Sequence, residues 1–189
     1  MKHQEIYTVA FRRKREGKTD YRARLRLLKS GKPRLVVRRS LQHVYTQLTV
    51  YHPQGDRVLV SANSKELQKQ YGYKLHGKNL CSAYLVGFLL GKKALDNKIQ
   101  EAVLDMGLAA STKGSRIYAV VQGSLDAGLK IPSGKEILPS PERVLGKHIQ
   151  QHLEHARGNQ FAQYRKTGLK PEDIPKHIVE VKNKIQGGK

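Results

Sequence analysis

The chain has 189 residues, with 36 Lys and Arg against 15 Asp and Glu, a formal charge of +21 and 38% hydrophobic residues. That apolar share supports a core and excludes a wholly disordered chain, while a single cysteine, Cys81, excludes an intrachain disulfide and a multi-cysteine zinc site. No apolar run reaches the roughly 18 residues of a membrane span, Met1–Glu5 lacks the apolar stretch of a signal peptide, and the charge calls for an acidic partner: nucleic acid first, an acidic membrane or protein surface second.

The charge is uneven. Residues 1–40 hold 14 Lys/Arg against 3 acids, a net of +11, while 41–145 and 146–189 each carry +5. The densest stretch, Phe11 to Arg26, is dominated by arginine: Arg12, Arg13, Arg15, Arg22, Arg24 and Arg26, joined by Lys14 and Lys18. The guanidinium fork pairs phosphate oxygens two at a time and stacks on bases, so an arginine bias points to RNA or DNA rather than to a merely solvated surface. Residues 12–18 carry no apolar period and read as an extended arm. Residues 19–29 read as a short helix with Leu25 and Leu28 inward.

Ser30-Gly31-Lys32-Pro33 is a turn signal. Three strand-like runs follow: Arg34 to Ser40, His43 to Tyr51 and Arg57 to Ala62. In the second, Val44, Thr46, Leu48 and Val50 alternate with His43, Tyr45, Gln47, Thr49 and Tyr51, a face suited to stacking and hydrogen bonding with RNA or simply to solvent. In the third, Val58, Val60 and Ala62 share a face. Short connections make these an antiparallel meander. Ser64 is expected to cap a short helix, Lys65 to Tyr71, and Asn79 a longer apolar one, Leu80 to Lys93, with Cys81 as a buried small hydrophobe. Ala83, Gly87 and Gly91 recur every four residues there, a stripe that permits close approach and offsets the cost of interior glycine, about 1 kcal/mol each.

Glu101 to Met106 reads as a short buried strand. Ser115 is expected to cap a helix from Arg116 to Ala127 that ends at Gly128. Ser140-Pro141-Glu142 starts a helix predicted to run unbroken to about Ala156. Residues 157–170 read as a polar loop, followed by a short amphipathic helix using Ile178, Val181 and Ile185. A meander followed by helix–strand–helix predicts an α/β sandwich with a mixed sheet. The expected organisation is a basic arm over 1–29, an α/β core over 30–156 and a C-terminal extension over 157–189.

Several motifs fail on inspection. Gly72 to Asn79 nearly matches the phosphate-binding loop, but Asn79 lacks the hydroxyl that magnesium needs and the segment follows a helix rather than a strand. His148, His152 and His155 share a helix face with no cysteine or well-aimed carboxylate to complete a metal site, so a polar face touching RNA phosphates beside Lys147 is the better reading. Asp105 and Asp126 are the pair a metal-dependent RNA-processing nuclease would use, although each has a local explanation. A general DNA-compacting protein is the third reading of the charge. No cofactor or small-molecule substrate is expected.

Assembled in order, the blocks resemble a known family. Arg22 to Arg38, Ser61-Ala62-Asn63-Ser64, Asn79 with Ala83 to Gly87, Gly91 to Leu95, Ala102 to Leu108, Gly114-Ser115-Arg116, Asp126 to Leu129 with Ile131-Pro132, and Pro141 to Arg143 with Gly146 to Ile149 are similar to large-subunit ribosomal protein eighteen in its archaeal form, the family that includes eukaryotic large-subunit protein five. The match spans roughly residues 7–155. The resemblance implies a mixed α/β sandwich of the translational-machinery-components type. It implies a cytoplasmic, ribosomal protein that binds 5S rRNA, attaches it to the large-subunit rRNA in the central protuberance and meets neighbouring large-subunit proteins, protein five among them. Carried onto this sequence, it makes Arg12 to Arg26 (Arg12, Arg13, Lys14, Arg15, Lys18, Tyr21, Arg22, Arg24 and Arg26) and the first hairpin (Lys32, Arg34, Arg38, Arg39, His43 and Tyr45) the 5S contacts. Ser115 and Arg116 are added because a helix N-terminus receives phosphate, and Lys147 and His148 would face rRNA or neighbouring proteins.

Overall fold

The Ser30–Pro33 turn delivers the chain into β1 (Arg34–Arg39), which pairs antiparallel with β2 (Val44–Val50), itself paired antiparallel with β3 (Arg57–Asn63). β4 (Val103–Asp105) returns parallel to β1, so the sheet is mixed, in the order β3-β2-β1-β4. The computed structural model describes residues 8–155, 161, 164 and 167–187. Before the strands come a single exposed turn of helix, α1 (Arg12–Arg15), and α2 (Tyr21–Leu28); after β3 come α3 (Ser64–Gln70) and α4 (Leu80–Asp96). Beyond β4 follow α5 (Arg116–Asp126), α6 (Pro141–Val144), α7 (Lys147–Glu154) and α8 (Ile174–Gly187).

Leu35, Val37, Val44, Thr46, Leu48, Val60 and Ala62 point inward from the sheet onto α4, which is buried along most of its length. α5 packs on α4 through the small-residue stripe. A Cβ on Gly87 would lie 2.0 Å from the Val120 carbonyl oxygen, and one on Gly123 would lie 2.0 Å from that of Tyr84. The two backbones meet where only hydrogen fits, as the Ala83–Gly87–Gly91 spacing predicts. Ser124 locks the crossing by donating to the carbonyl of Gly87 at 3.0 Å. Cys81 is buried, and desolvation pushes its thiol up to about 12.

The expectations that fail do so for identifiable reasons. Residues 12–18 are not extended throughout, because Arg12–Arg15 closes a helical turn on Phe11. Leu25 is 57% exposed, and Leu27 joins Leu28 as the half-buried side of α2. Val58 does not share a face with Val60: a bulge, in which Leu48 pairs with Val60 and Thr49 with Val58, leaves Leu59 extra and turns Val58 outward. Thr49, expected on the open face, is buried, and Val50 is 39% exposed at the strand end. Asn63 rather than Ser64 caps α3, accepting from Glu66 N–H at 2.9 Å. The helix expected from Ser140 to Ala156 is two helices. Gly146 between them has φ +78°, and a Cβ there would sit 3.1 Å from both Ile174 and Ile178. The tail helix α8 places Ile174, Ile178, Val181 and Ile185 in the same core as the sheet. Most of the loop expected over 157–170 lies outside the described residues.

Candidate nucleic-acid interface

The arm is held over the outer face of the sheet. α2 begins at Asp20, whose carboxylate accepts from the backbone N–H groups of Arg22 (2.9 Å) and Ala23 (3.1 Å). Those bonds, Ala23 first, hold the Asp20 carboxyl below its ordinary range. This is an N-cap, so the sequence itself starts the helix that displays the arginines. Phe11 and Tyr21 pack as a tilted pair with centroids 5.0 Å apart, and Arg13 Nε donates to Thr19 Oγ1 at 2.9 Å, which ties α1 back to α2. Between α2 and the outer sheet face lies an open groove of about 980 Å³, with Val36, Gln47 and Thr49 on its floor and Tyr21, Ala23 and Leu27 on its roof.

Along this groove runs a chain of alternating charges. Arg24 Nη2 reaches Asp56 Oδ1 at 2.7 Å, Asp56 pairs with Arg34, and Arg34 Nη1 donates to Asp105 Oδ2 at 2.7 Å. Asp105 also receives Arg38 Nη2 at 3.1 Å, and its backbone oxygen receives Arg38 Nη1 at 3.0 Å. Arg34 is 2% exposed. Its expected role as an RNA contact is therefore corrected: desolvation confines it between two carboxylates, where it pins β1 to β4 and to the β2–β3 connection. Arg38 keeps half of its side chain in solvent, aimed by Asp105.

The remaining expected contacts divide into groups. Arg22, Arg26 and Arg39 are exposed, and no acidic partner meets them among the described residues. Lys14 and Arg15 are likewise exposed on α1, whereas Arg12 and Lys18 share Glu16, at 3.8 and 2.9 Å. Lys32 pairs with Glu101 and pulls that carboxyl below its ordinary range. Tyr45 is 43% exposed on the outer face, with His43 edge-on at 6.3 Å. Arg116 is half-buried, donates to the Lys78 carbonyl at 3.2 Å, and is lowered in pKa by burial and then by Arg39 nearby.

Ser115 stands at the N-cap of α5 but makes no capping bond, and its buried hydroxyl has no partner. The phosphate-receiving role expected of Ser115 thus meets a buried oxygen. Lys147 is exposed and paired with Glu142 at 3.1 Å. His148 is half-buried rather than on an outer polar face, with Nδ1 enclosed, and burial lowers its pKa. Lys147 and His148 lie on α7, outside the groove. No group of three metal-ligating side chains occurs among the described residues, and Asp105 and Asp126 are engaged, the latter accepting from Tyr84 Oη at 2.6 Å.

Residues 5–101 and 96–134 match the family described as ribosomal large subunit proteins 60S L5 and 50S L18. A protein named large ribosomal subunit protein uL18, from Methanococcus maripaludis, is 52% identical over 185 residues, covering 95% of this chain and 95% of the relative. The chain belongs to this family of large-subunit ribosomal proteins. That fits the archaeal branch expected from the ordered blocks. No helix among the described residues is long and apolar enough to cross a membrane.

Sequence reasoning missed Asp56 and Asp105 as organisers of this basic surface. Asp56 reads as a turn residue and Asp105 as a strand end, and only the fold brings them to opposite sides of Arg34. The one signal was their sign: acids are scarce in the chain, 15 Asp and Glu against 36 Lys and Arg.

Proposed function

We propose that this large-subunit protein binds 5S rRNA and attaches it to the large-subunit rRNA in the central protuberance, without catalytic activity. The observation that carries the reading is the net +11 of residues 1–40 in a chain of this family, with seven of the basic side chains carried by α1 and α2 beside the outer sheet face. Exposed Arg22, Arg26, Arg38 and Arg39 contact phosphates, and Tyr45 offers a ring to an unstacked base. Residues 1–29 act as the RNA clamp, 30–156 as the scaffold, and 157–189 as a surface for large-subunit rRNA or a neighbouring protein, protein five in particular.

Competition between 5S rRNA and random duplex DNA tests this. The 5S rRNA should win by at least tenfold, with affinity falling steeply in salt, a slope of about −0.7 to −0.9 per phosphate neutralised. Equal affinities would remove the reading.

A further inference from the structure

The Gly72–Asn79 loop, which fails as a nucleotide-hydrolysis motif, builds a second and smaller site. Together with the β1–β2 turn and α3 it frames a half-open pocket of about 280 Å³ lined by Gln42, His43, Gln68, Lys74 and His76, with Tyr164 at one side. That volume sits at the low end of small-ligand sites, roughly 300–1,000 Å³, so it admits one planar group and no duplex.

Its polar atoms are held in a defined pattern. His76 Nδ1 accepts from Lys78 N–H at 3.1 Å, which leaves the ring proton on Nε2. Burial, then His43, then Lys78 hold His76 below its ordinary pKa, so the ring is neutral near pH 7. Ser64 Oγ accepts from Val44 N–H at 3.2 Å and lies 2.9 Å from His43 Nδ1. With Nδ1 engaged by Ser64, Nε2 is the His43 ring nitrogen left for a ligand. Gln68 spends its amide nitrogen on the Leu75 carbonyl at 3.2 Å, leaving its Oε1 as an acceptor. Gln42 makes no side-chain bond among the described residues. The His76 imidazole donor, the His43 Nε2, a free amide and a carbonyl acceptor form a mixed edge. A nucleobase presents such an edge; a phosphate, which only accepts, would face the Gln68 oxygen. The backbone is built for it, since a Cβ on Gly77 would fall 2.8 Å from both His43 Nδ1 and Ser64 Oγ.

The pocket also adjoins the RNA surface. His43 forms its wall and touches Tyr45 edge-on, while Lys74 supplies a cation at the rim for the flanking phosphate. We infer that this pocket receives a single base flipped out of an rRNA strand, read by Gln42, His43, Gln68 and His76. Sequence-specific proteins read RNA chiefly at such unstacked bases. The inference rests on the rRNA-binding reading above.

The test probes base edges with dimethyl sulfate and carbodiimide, and riboses with hydroxyl radicals. It uses the full chain on isolated 5S rRNA and in the assembled large subunit, so that the protected strand names the rRNA. The expected result is one base protected by the wild type whose reactivity returns to the free level with Gln42→Ala/His76→Ala, while ribose protection by the N-terminal arm persists. If the base lies in 5S rRNA, affinity should fall about tenfold, or 1.4 kcal/mol. Gln42→Ala alone, which removes no side-chain bond among the described residues, should restore part of that reactivity. If in neither RNA does a base depend on these side chains, the inference is overturned. If the arm instead protects no 5S ribose, the 5S reading falls, and base protection in the large subunit alone decides the pocket.

Discussion

The N-terminal arm and the α4–α5 crossing are opposites in construction. The crossing is apolar, close-packed and closed to solvent, with glycines at contacts of 2.0 Å for a virtual Cβ. The arm has no fully buried residue in α1 or α2, and it is held by a cap, one aromatic pair, the Arg13–Thr19 hydrogen bond and the Arg24–Asp56 ion pair. One region provides stability and the other carries charge outward. The Arg34–Asp105 pair lies between them, buried like the first and charged like the second.

That contrast can be broken in order of effect. Asp105→Ala takes one of its two carboxylates from Arg34, which is 2% exposed, and leaves it Asp56 alone. Removing one partner of a buried pair costs about 3–5 kcal/mol; with Asp56 still in place the loss should lie at the lower end of that range, and the urea midpoint should fall. A loss under 1 kcal/mol would mean that water reaches the pair. Gly123→Ala forces a methyl into the Tyr84 carbonyl and should cost about 3 kcal/mol by overpacking. The same measurement checks it, and an unchanged midpoint would show that α4 and α5 separate freely. Asn63→Ala removes the cap of α3 and should cost about 1 kcal/mol.

The smallest effect is titration of His177. Its Nε2 accepts from Lys74 N–H at 3.1 Å, and burial, partly opposed by Glu180, lowers its pKa. The unfolded chain therefore binds the proton more readily, and the stability this ring contributes is present above about pH 6.5 and lost as pH falls through the depressed value. Urea titrations at pH 7.5 and 5.5 should show the decline, and His177→Gln should reduce it, the remainder belonging to His76 and His148, whose pKa values burial also lowers. A decline of the same size in His177→Gln would place the titration in other groups.

Much of this was legible beforehand. The arginine run, the meander, the glycine stripe and the Asn79 cap are local or periodic signals, and each recurs in the fold. The ordered blocks carried the family. What stayed hidden depends on contacts distant in sequence. Nothing near Arg34 announces that Asp56 and Asp105 will enclose it, so a buried strut read as an RNA contact. The bulge at Leu59 shifts Val58 to the other face without a glycine to mark it. Gly146 looked compatible with a continuing helix, but the Ile174 and Ile178 side chains of a later element occupy the space a side chain there would need.

The direct test of the division of labour is 5S rRNA affinity measured beside urea stability for Arg22→Ala/Arg26→Ala. Both side chains are exposed on α2, with no acidic partner among the described residues. Affinity should fall at least tenfold while stability changes by less than about 0.5 kcal/mol, the range of ordinary surface substitutions. Unchanged affinity, or a loss of binding that merely follows unfolding, would contradict the account.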